Sequence, residues 1–433
     1  MSFLKVLGFD PAKHNVKTEI VAGITTFLTM AYILAVNPDI FSALEDMGMP
    51  KGAVFTATAL AAIVGTLVMS IYAKKPYALA PGLGLNAFFV YTVCLTMGYS
   101  WQFALTAVLI EGIIFIILTA TNVREAIINA IPKSMKSAVS AGIGLFIAFI
   151  GLVNAGIIVD DGGTIINLGT ITSGPALLAI VGLVITSVMM ILKVPGAMLI
   201  GIIVTAIIGI PFGITKFDGV VSAVPSVAPI FCKFEFHNIL TWDMIIVVFT
   251  FLFIDMFDTI GTVIGVSKKA NAMNPDGTIP GVKKVLMADA VATVWGAICG
   301  TSTTTTYVES ASGVAEGGRT GLTSFTVAIC FAIALFFAPV FLAIPSAATA
   351  PALILVGVMM MSSILDVDFN DFSECIPAYI CMIVMPLAYS ISDGIMLGLI
   401  SFVVLNALTG KFKKISVMMW ILAILFILRY ILL

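Results

Sequence analysis

Charge is scarce in this 433-residue chain: Asp, Glu, Lys and Arg make up 10% of it, against 60% hydrophobic residues. Soluble chains carry about 25% charged residues, so too few are present here to coat a water-exposed surface. That excludes a soluble enzyme, a nucleic-acid binder and a secreted disulfide scaffold together. Histidine is nearly absent too: His14 and His237 are the only two, and no HExxH occurs. Zinc hydrolysis is thereby set aside. No GxxxxGK[ST] loop is present, so ATP does not drive the chain directly. The six cysteines (Cys94, Cys232, Cys299, Cys330, Cys375, Cys381) form no CxxC pair, and they read as small hydrophobes rather than metal or redox groups. Residues 1–17 are short, polar and basic, so the first apolar run is read as a retained span and not a cleaved leader. The composition describes a polytopic membrane protein that is not an enzyme and calls for neither cofactor nor metal.

A membrane-spanning helix needs about 20 mostly apolar residues. Fourteen candidate spans follow: 18–36, 53–73, 76–97, 101–120, 136–157, 175–192, 195–214, then, after a more polar linker at 215–241, 242–266, 284–300, 301–318, 321–343, 347–364, 374–391 and 393–410. The last apolar stretch, 415–433, is either a further span or a helix at the interface. Strict alternation from an inward N-terminus puts seventeen basic residues on the cytoplasmic side, among them Lys74, Lys75, Arg124, Lys133, Lys268, Lys269, Arg319 and Lys414. Only Lys51, Lys216 and Lys233 fall outside, and Arg429 lies in the final stretch. This bias is what the positive-inside rule requires of an inner or plasma membrane protein with a cytoplasmic N-terminus.

Spans 3 and 10 are abnormal in the same way. Span 3 reads PYALAPGLGLNAFF, with Pro81, Gly82, Gly84 and Asn86 in its middle; span 10 reads GTSTTTTYVESASG, hydroxyls leading to Tyr307 and Glu309. Irregular backbone survives at membrane depth only where protein or a water-filled cavity satisfies it. Each is the third of seven, and an odd repeat enters the membrane inverted. Interrupted spans at matching places of two inverted halves point to a transporter's midplane site.

Acids inside spans are costly and usually face a cavity. Glu111, Asp255, Asp258, Asp289 and Glu309 qualify, and spans 8 and 10 contain no Lys or Arg. Asp255, Asp258, Thr259 and Thr262 fall on one face of span 8 by helical spacing. Glu111 is read as an interhelical hydrogen bond, and Asp289, close after Lys283 and Lys284, as an interfacial residue of little consequence. For Asp258, a bond to a neighbouring broken helix weighs nearly as much as contact with a ligand. Acids beside a polar broken helix suit a neutral or cationic, N–H-rich substrate, because a carboxylate accepts two parallel bonds from a planar heterocycle edge. Phe88, Phe89, Phe251, Phe253, Phe257 and Tyr307 are candidate stacking faces, most of them expected to be packing. Acids that change charge between states also provide proton coupling.

At these residues the sequence resembles a known family over essentially its whole length. ITTFLTMAYILAVNP in span 1, ALAPGLGLNAFF in span 3, DMFDTIGT in span 8 and TTTTYVESASGVAEGGRTGLT in span 10 are similar to the nucleobase:cation symporter superfamily (nucleobase–ascorbate transporter-like), in its AzgA-like branch of hypoxanthine/guanine/adenine purine permeases. The resemblance implies an all-α fold of fourteen transmembrane segments in a seven-plus-seven inverted repeat, with short β-strands in spans 3 and 10. It implies a core domain from 1–135 (spans 1–4) and 242–345 (spans 8–11). The gate domain would combine 136–241 (spans 5–7 and linker) with 346–433 (spans 12–14 and the C-terminal helix). By motif, the substrate acids fall on Asp255 and Glu309 and the span-3 polar position on Asn86, with Asp258 a second span-8 acid. Phe251, Thr306, Tyr307 and Val308 complete the expected substrate-binding set. Asp255, Asp258 and Glu309 are the proton-coupling candidates, and Gly84, Thr259 and Thr262 the structural support. Related uracil carriers have His where this stripe has Thr259, so their proton relay need not transfer.

The function expected is proton-coupled symport of a purine base into the cell by an elevator-like slide of core against gate, in a homodimer. The alternatives are an anion, pyrimidine or xanthine carrier of the same architecture, a channel, and an intramembrane aspartyl protease. The absence of site Arg or Lys disfavours an anion carrier. The protease lacks a GxGD motif, and its acids would be poorly placed three apart on one helix.

Overall fold

The computed structural model describes residues 2–121, 132–217, 219–237, 239–270, 272–274 and 279–432. Arg124, counted above among the basic loop residues, lies outside them, as do the side chains of Phe257 and Lys268. Nine helices among the described residues are long and apolar enough to cross a membrane. Shorter apolar helices at Leu83–Thr96, Ala197–Gly209, Phe372–Leu387 and Val417–Ile431 stand at other expected positions.

Span 1 is longer than its hydropathy indicated, running over Val16–Met47 rather than 18–36. The side chain of Asn15 caps helix Val16–Met30 by accepting from Lys17 N and Thr18 N. A turn at Ala31–Tyr32 interrupts it, and Ile33–Phe41 continues it with Pro38 inside. This continuation carries Asn37-Pro38-Asp39 inside the helix. It is tolerated because Asn37 donates to Thr58 and Thr301, and Asp39 accepts from Ser346 and Thr349.

The third and tenth segments are broken as expected. Strand β1 (Leu79–Pro81) leads into the helix from Leu83, and the strand Thr304–Thr306 leads into the short helix Ser310–Ala315. The two strands pair antiparallel across the halves of the chain, Leu79 opposite Thr306 and Pro81 opposite Thr304. Such a two-stranded sheet leaves edges that lipid cannot satisfy. Neighbouring side chains satisfy them instead. Thr66 Oγ1 accepts from Leu79 N and donates to its carbonyl, Thr293 Oγ1 donates to Thr304 O, and Asp289 accepts from Thr306 N. An exposed hairpin, Ile158–Asp161 with Ile165–Leu168, follows span 5 and was not anticipated.

The helices pack as two groups. Helices of spans 1, 2, 4, 9 and 11 lie against one another, and span 8 joins them through span 4. Helices of spans 5, 6, 12, 13 and 14 form the second group, with span 7 against span 6. Small residues set the closest approaches: a Cβ on Gly313 would stand 2.1 Å from Thr26 Oγ1 and 2.4 Å from Ala22 O. One on Gly84 would stand 2.7 Å from Ile143 Cγ2, where span 3 meets span 5.

Helix Val417–Leu432 runs back along span 14 rather than across its end. Just before it, Lys411 and Lys414 pair with Asp371, and Lys414 with Glu374. At its far end Arg429 reaches Asp393, at the start of span 14, and Asp243, at the start of span 8. Sixteen residues at about 1.5 Å each cover roughly 24 Å. In the loop before span 13, Lys414, Ser373 and Lys411 hold the half-buried Asp371 carboxyl well below the usual carboxylate range.

Candidate functional site

The broken segments meet span 8 at a cavity of about 510 Å³, within the size range of small-molecule sites. Its polar wall is built from Tyr32, Asp258, Thr262, Thr306, Tyr307 and Glu309, and Gly82 to Gly84 bring the start of the span-3 helix to it. Span 5 (Val139, Ser140, Ile143) and span 12 (Val356, Met359, Met360) supply the opposite, mostly apolar wall. The cavity extends to Ser362, Ser363 and Asp366, and Asp366 pairs with Lys133 at 2.6 Å. No Lys or Arg is among the lining residues. At the other end of span 1, Asp39 ties to span 12 through Ser346 (2.7 Å) and Thr349, with Lys51 at 3.6 Å.

Glu309 is the N-cap residue of the short helix of span 10, with Tyr307 and Val308 between it and the strand. Its position is fixed from three directions. Tyr32 Oη donates to Glu309 Oε1 at 2.7 Å, and Ser312 Oγ donates to the Glu309 carbonyl at 2.6 Å while contacting Thr29 Oγ1 at 2.9 Å. Tyr307 Oη donates to the Pro81 carbonyl at 2.6 Å and so ties the two broken segments beside it. Below these, Glu19 Oε1 and Oε2 accept from the backbone of Arg319 and Thr320. Glu19, Ala22, Thr26, Thr29 and Tyr32 thus form one stripe of span 1 that seats the span-10 elbow. None of the five was singled out in the sequence. The available signal was a polar period of three to four residues within an otherwise apolar run.

Of the expected site residues, Glu309, Asp258, Thr306, Tyr307, Val308, Gly84 and Thr262 come together on the cavity wall. Asp255, Asn86, Phe251 and Thr259 are fully buried and are not among the residues lining it. Phe251 packs edge-on against Phe88, with ring centres 4.8 Å apart. Asn86 accepts from Ser302 Oγ at 2.6 Å and so cross-links spans 3 and 10. Asp255 lies behind the wall: Thr259 Oγ1 contacts Asp255 Oδ1 (3.1 Å), Asp289 Oδ2 (2.9 Å) and Thr305 Oγ1 (2.7 Å). Three residues on a helix turn its face by about 60°, enough for Asp258 to meet the cavity while Asp255 backs onto span 9.

Asp289 corrects the reading that made it interfacial. It is fully buried, and its Oδ1 accepts from both Thr306 N (2.9 Å) and Thr306 Oγ1 (3.0 Å). Lys283 is six residues earlier, about 9 Å along the helix, so the basic pair sits at the exposed end while Asp289 lies in the buried part. Glu111 bonds to another span, accepting from Thr303 Oγ1 at 2.6 Å, but its partner lies in the broken segment just before the strand and not on a helix.

Comparison with known proteins now decides the family. The pattern of the permease family matches residues 17–397. This chain belongs to that family. It is similar to the guanine/hypoxanthine permease PbuG of Bacillus subtilis (strain 168), with 45% identity over 433 residues, covering 98% of each chain. It is 41% identical to the adenine permease AdeQ of Escherichia coli (strain K12) over 418 residues, covering 96% of this chain and 94% of that one. In structure the permease matches the transmembrane domain of a cyanobacterial bicarbonate transporter, BicA, with a TM-score of 0.65 at 16% identity. That match covers 89% of this chain and 97% of the other. This likeness is one of fold, and it bears out the all-helical inverted-repeat class. The permease is a multi-pass membrane transport protein and not an enzyme.

Proposed function

We propose that this permease imports a purine base by proton-coupled symport. The observation that carries the reading is the cavity: two paired broken segments and span 8 present Glu309 and Asp258 to one space, with no Lys or Arg among its lining residues. Basic groups would be needed to neutralise a bound anion, which disfavours an anion carrier on this fold. Carboxylates opposite an apolar wall suit a flat, neutral ring with N–H donors on one edge. The names of the relatives, guanine/hypoxanthine and adenine permeases, support the purine class.

In this reading Glu309 is the anchor that accepts N–H bonds from the base. Asp258 takes the second contact that the motif had assigned to Asp255, and Asp255 acts from behind through Thr259. Glu309 and Asp258 exchange the coupling proton, with Asp255 as the buried member of the set. Asn86, Gly84, Thr259 and Thr262 hold the broken segments, Phe251 supports span 3 through Phe88, and Thr306, Tyr307 and Val308 border the base. Backbone N–H groups at the half-helix starts add donors. The core is 1–135 with 242–345, the gate 136–241 with 346–433; the two packing groups support that division, and Gly84 against Ile143 lies on its sliding surface. The fourteen spans start from an N-terminus in the cytoplasm at a cell membrane, the C-terminal helix lies back along span 14, and the permease works as a homodimer. The cavity's opening at Lys133 and Asp366 is then cytoplasmic, an inward-open state closed on the far side by Asp39.

Reconstituted vesicles test this directly. An imposed proton gradient is expected to drive accumulation of a purine above equilibrium, and a protonophore at constant sodium to abolish it. Accumulation that follows a sodium gradient overturns the proton assignment. Uptake of no purine at all overturns the function.

A further inference from the structure

Three hydroxyls of the polar wall, those of Tyr32, Thr306 and Tyr307, already give their hydrogens to protein acceptors, and that bears on which base fits. A hydroxyl has one hydrogen to give and lone pairs with which to accept. Tyr32 gives its hydrogen to Glu309 Oε1, Tyr307 to the Pro81 carbonyl, and Thr306 to Asp289 Oδ1. All three residues line the cavity, together with the carboxyls of Glu309 and Asp258. Beside Glu309, then, these three hydroxyls present lone pairs rather than hydrogens. Tyr32 Oη and the Glu309 carboxylate are neighbouring acceptors held in register by their own 2.7 Å bond.

We propose that Tyr32 is a positioning and specificity-determining residue, which orients Glu309 and forms with it a paired-acceptor edge selective for bases carrying two adjacent N–H donors. This rests on the purine reading above and deepens it. Guanine offers N1–H beside its exocyclic amine, a donor–donor edge. Hypoxanthine keeps N1–H but has only C–H at the next position. Adenine sets its amine beside an unprotonated N1, whose lone pair would face the lone pairs of the wall. Xanthine flanks N1–H with two carbonyls, so on that edge the same repulsion applies twice, and only its N9–H tautomer sets N3–H beside a second donor. An unmatched buried polar group costs more than an absent one, so the order expected is guanine, then hypoxanthine, then adenine and xanthine.

The test is competition against radiolabelled guanine in vesicles containing wild type, Tyr32→Phe, Thr29→Val and Glu309→Gln. Tyr32→Phe removes one oxygen. It is expected to raise KM for guanine about tenfold or more with little change in kcat, to raise that for hypoxanthine less, and to narrow the gap to adenine. Thr29→Val removes the neighbouring span 1–span 10 contact outside the cavity, and is expected to leave the order of preference unchanged. The inference is overturned if wild type binds adenine or xanthine as tightly as guanine. It falls equally if Tyr32→Phe leaves KM within twofold, or if Thr29→Val reproduces its change in preference. Wild type that transports no purine would instead sink the function itself, and Glu309→Gln retaining full uptake would remove the anchor. The failures are therefore distinguishable.

Discussion

Glu309→Gln is expected to lower purine uptake at least about a hundredfold while the protein still folds and reaches the membrane. The substitution changes one atom and one charge. Gln keeps an oxygen for the Tyr32 hydroxyl, and the Ser312 bond goes to the backbone carbonyl, which is untouched. What disappears is a carboxylate that accepts N–H bonds. A hydrogen bond to a charged group contributes roughly 1.5–3 kcal/mol, and an amide N–H left facing a base N–H costs about 1–3 kcal/mol more, so the loss corresponds to about two to four powers of ten in affinity. The amide also brings two donors of its own beside hydroxyls that present lone pairs. Uptake and binding measured on the same purified protein separate this from misfolding: a normal melting profile with lost binding is the expected pair. Undiminished uptake would take Glu309 out of the site.

The second large effect is expected at Asp289, which does not line the cavity at all. Its Oδ1 holds Thr306 through both N and Oγ1, and Oδ2 meets Thr259, so one carboxyl joins the cavity strand to the span-8 acids. Asp289→Leu strands the backbone N–H of Thr306 in a buried, low-dielectric setting, at a cost of about 1–3 kcal/mol for that group alone. It also frees the strand that fixes Tyr307 and Glu309. Uptake should fall at least about tenfold and the melting temperature should drop. Asp289→Asn retains an oxygen for Thr306 and should keep most of the stability. Equal stability and uptake in Asp289→Leu and wild type would mean that the strand does not depend on this residue.

The frame of this molecule was readable from its apolar runs, because a membrane permits only helices and self-satisfied backbone. The two broken segments were readable for the same reason: PYALAPGLG and TSTTTTYVES cannot face lipid. Their pairing into a sheet followed from the resemblance rather than from any period in the residues. What escaped was the depth and direction of single side chains. Tyr32 hid in an apolar run because an aromatic there is usually packing, and only the turn at Ala31–Tyr32 aims it at Glu309. Asp255 and Asp258 shared a helix face on paper, yet the 60° between them separates a cavity group from a buried one. Asp289 was misjudged because the lysines before it were nearer in sequence than they are in depth.

A structure of the permease with guanine bound tests the central claim most directly. The account predicts the base in the cavity between the paired strands and span 8, with an N–H edge within about 3 Å of the Glu309 carboxylate and the ring against the Met359 and Ile143 wall. A base lodged elsewhere, or one presenting carbonyl oxygen to Glu309, would contradict it.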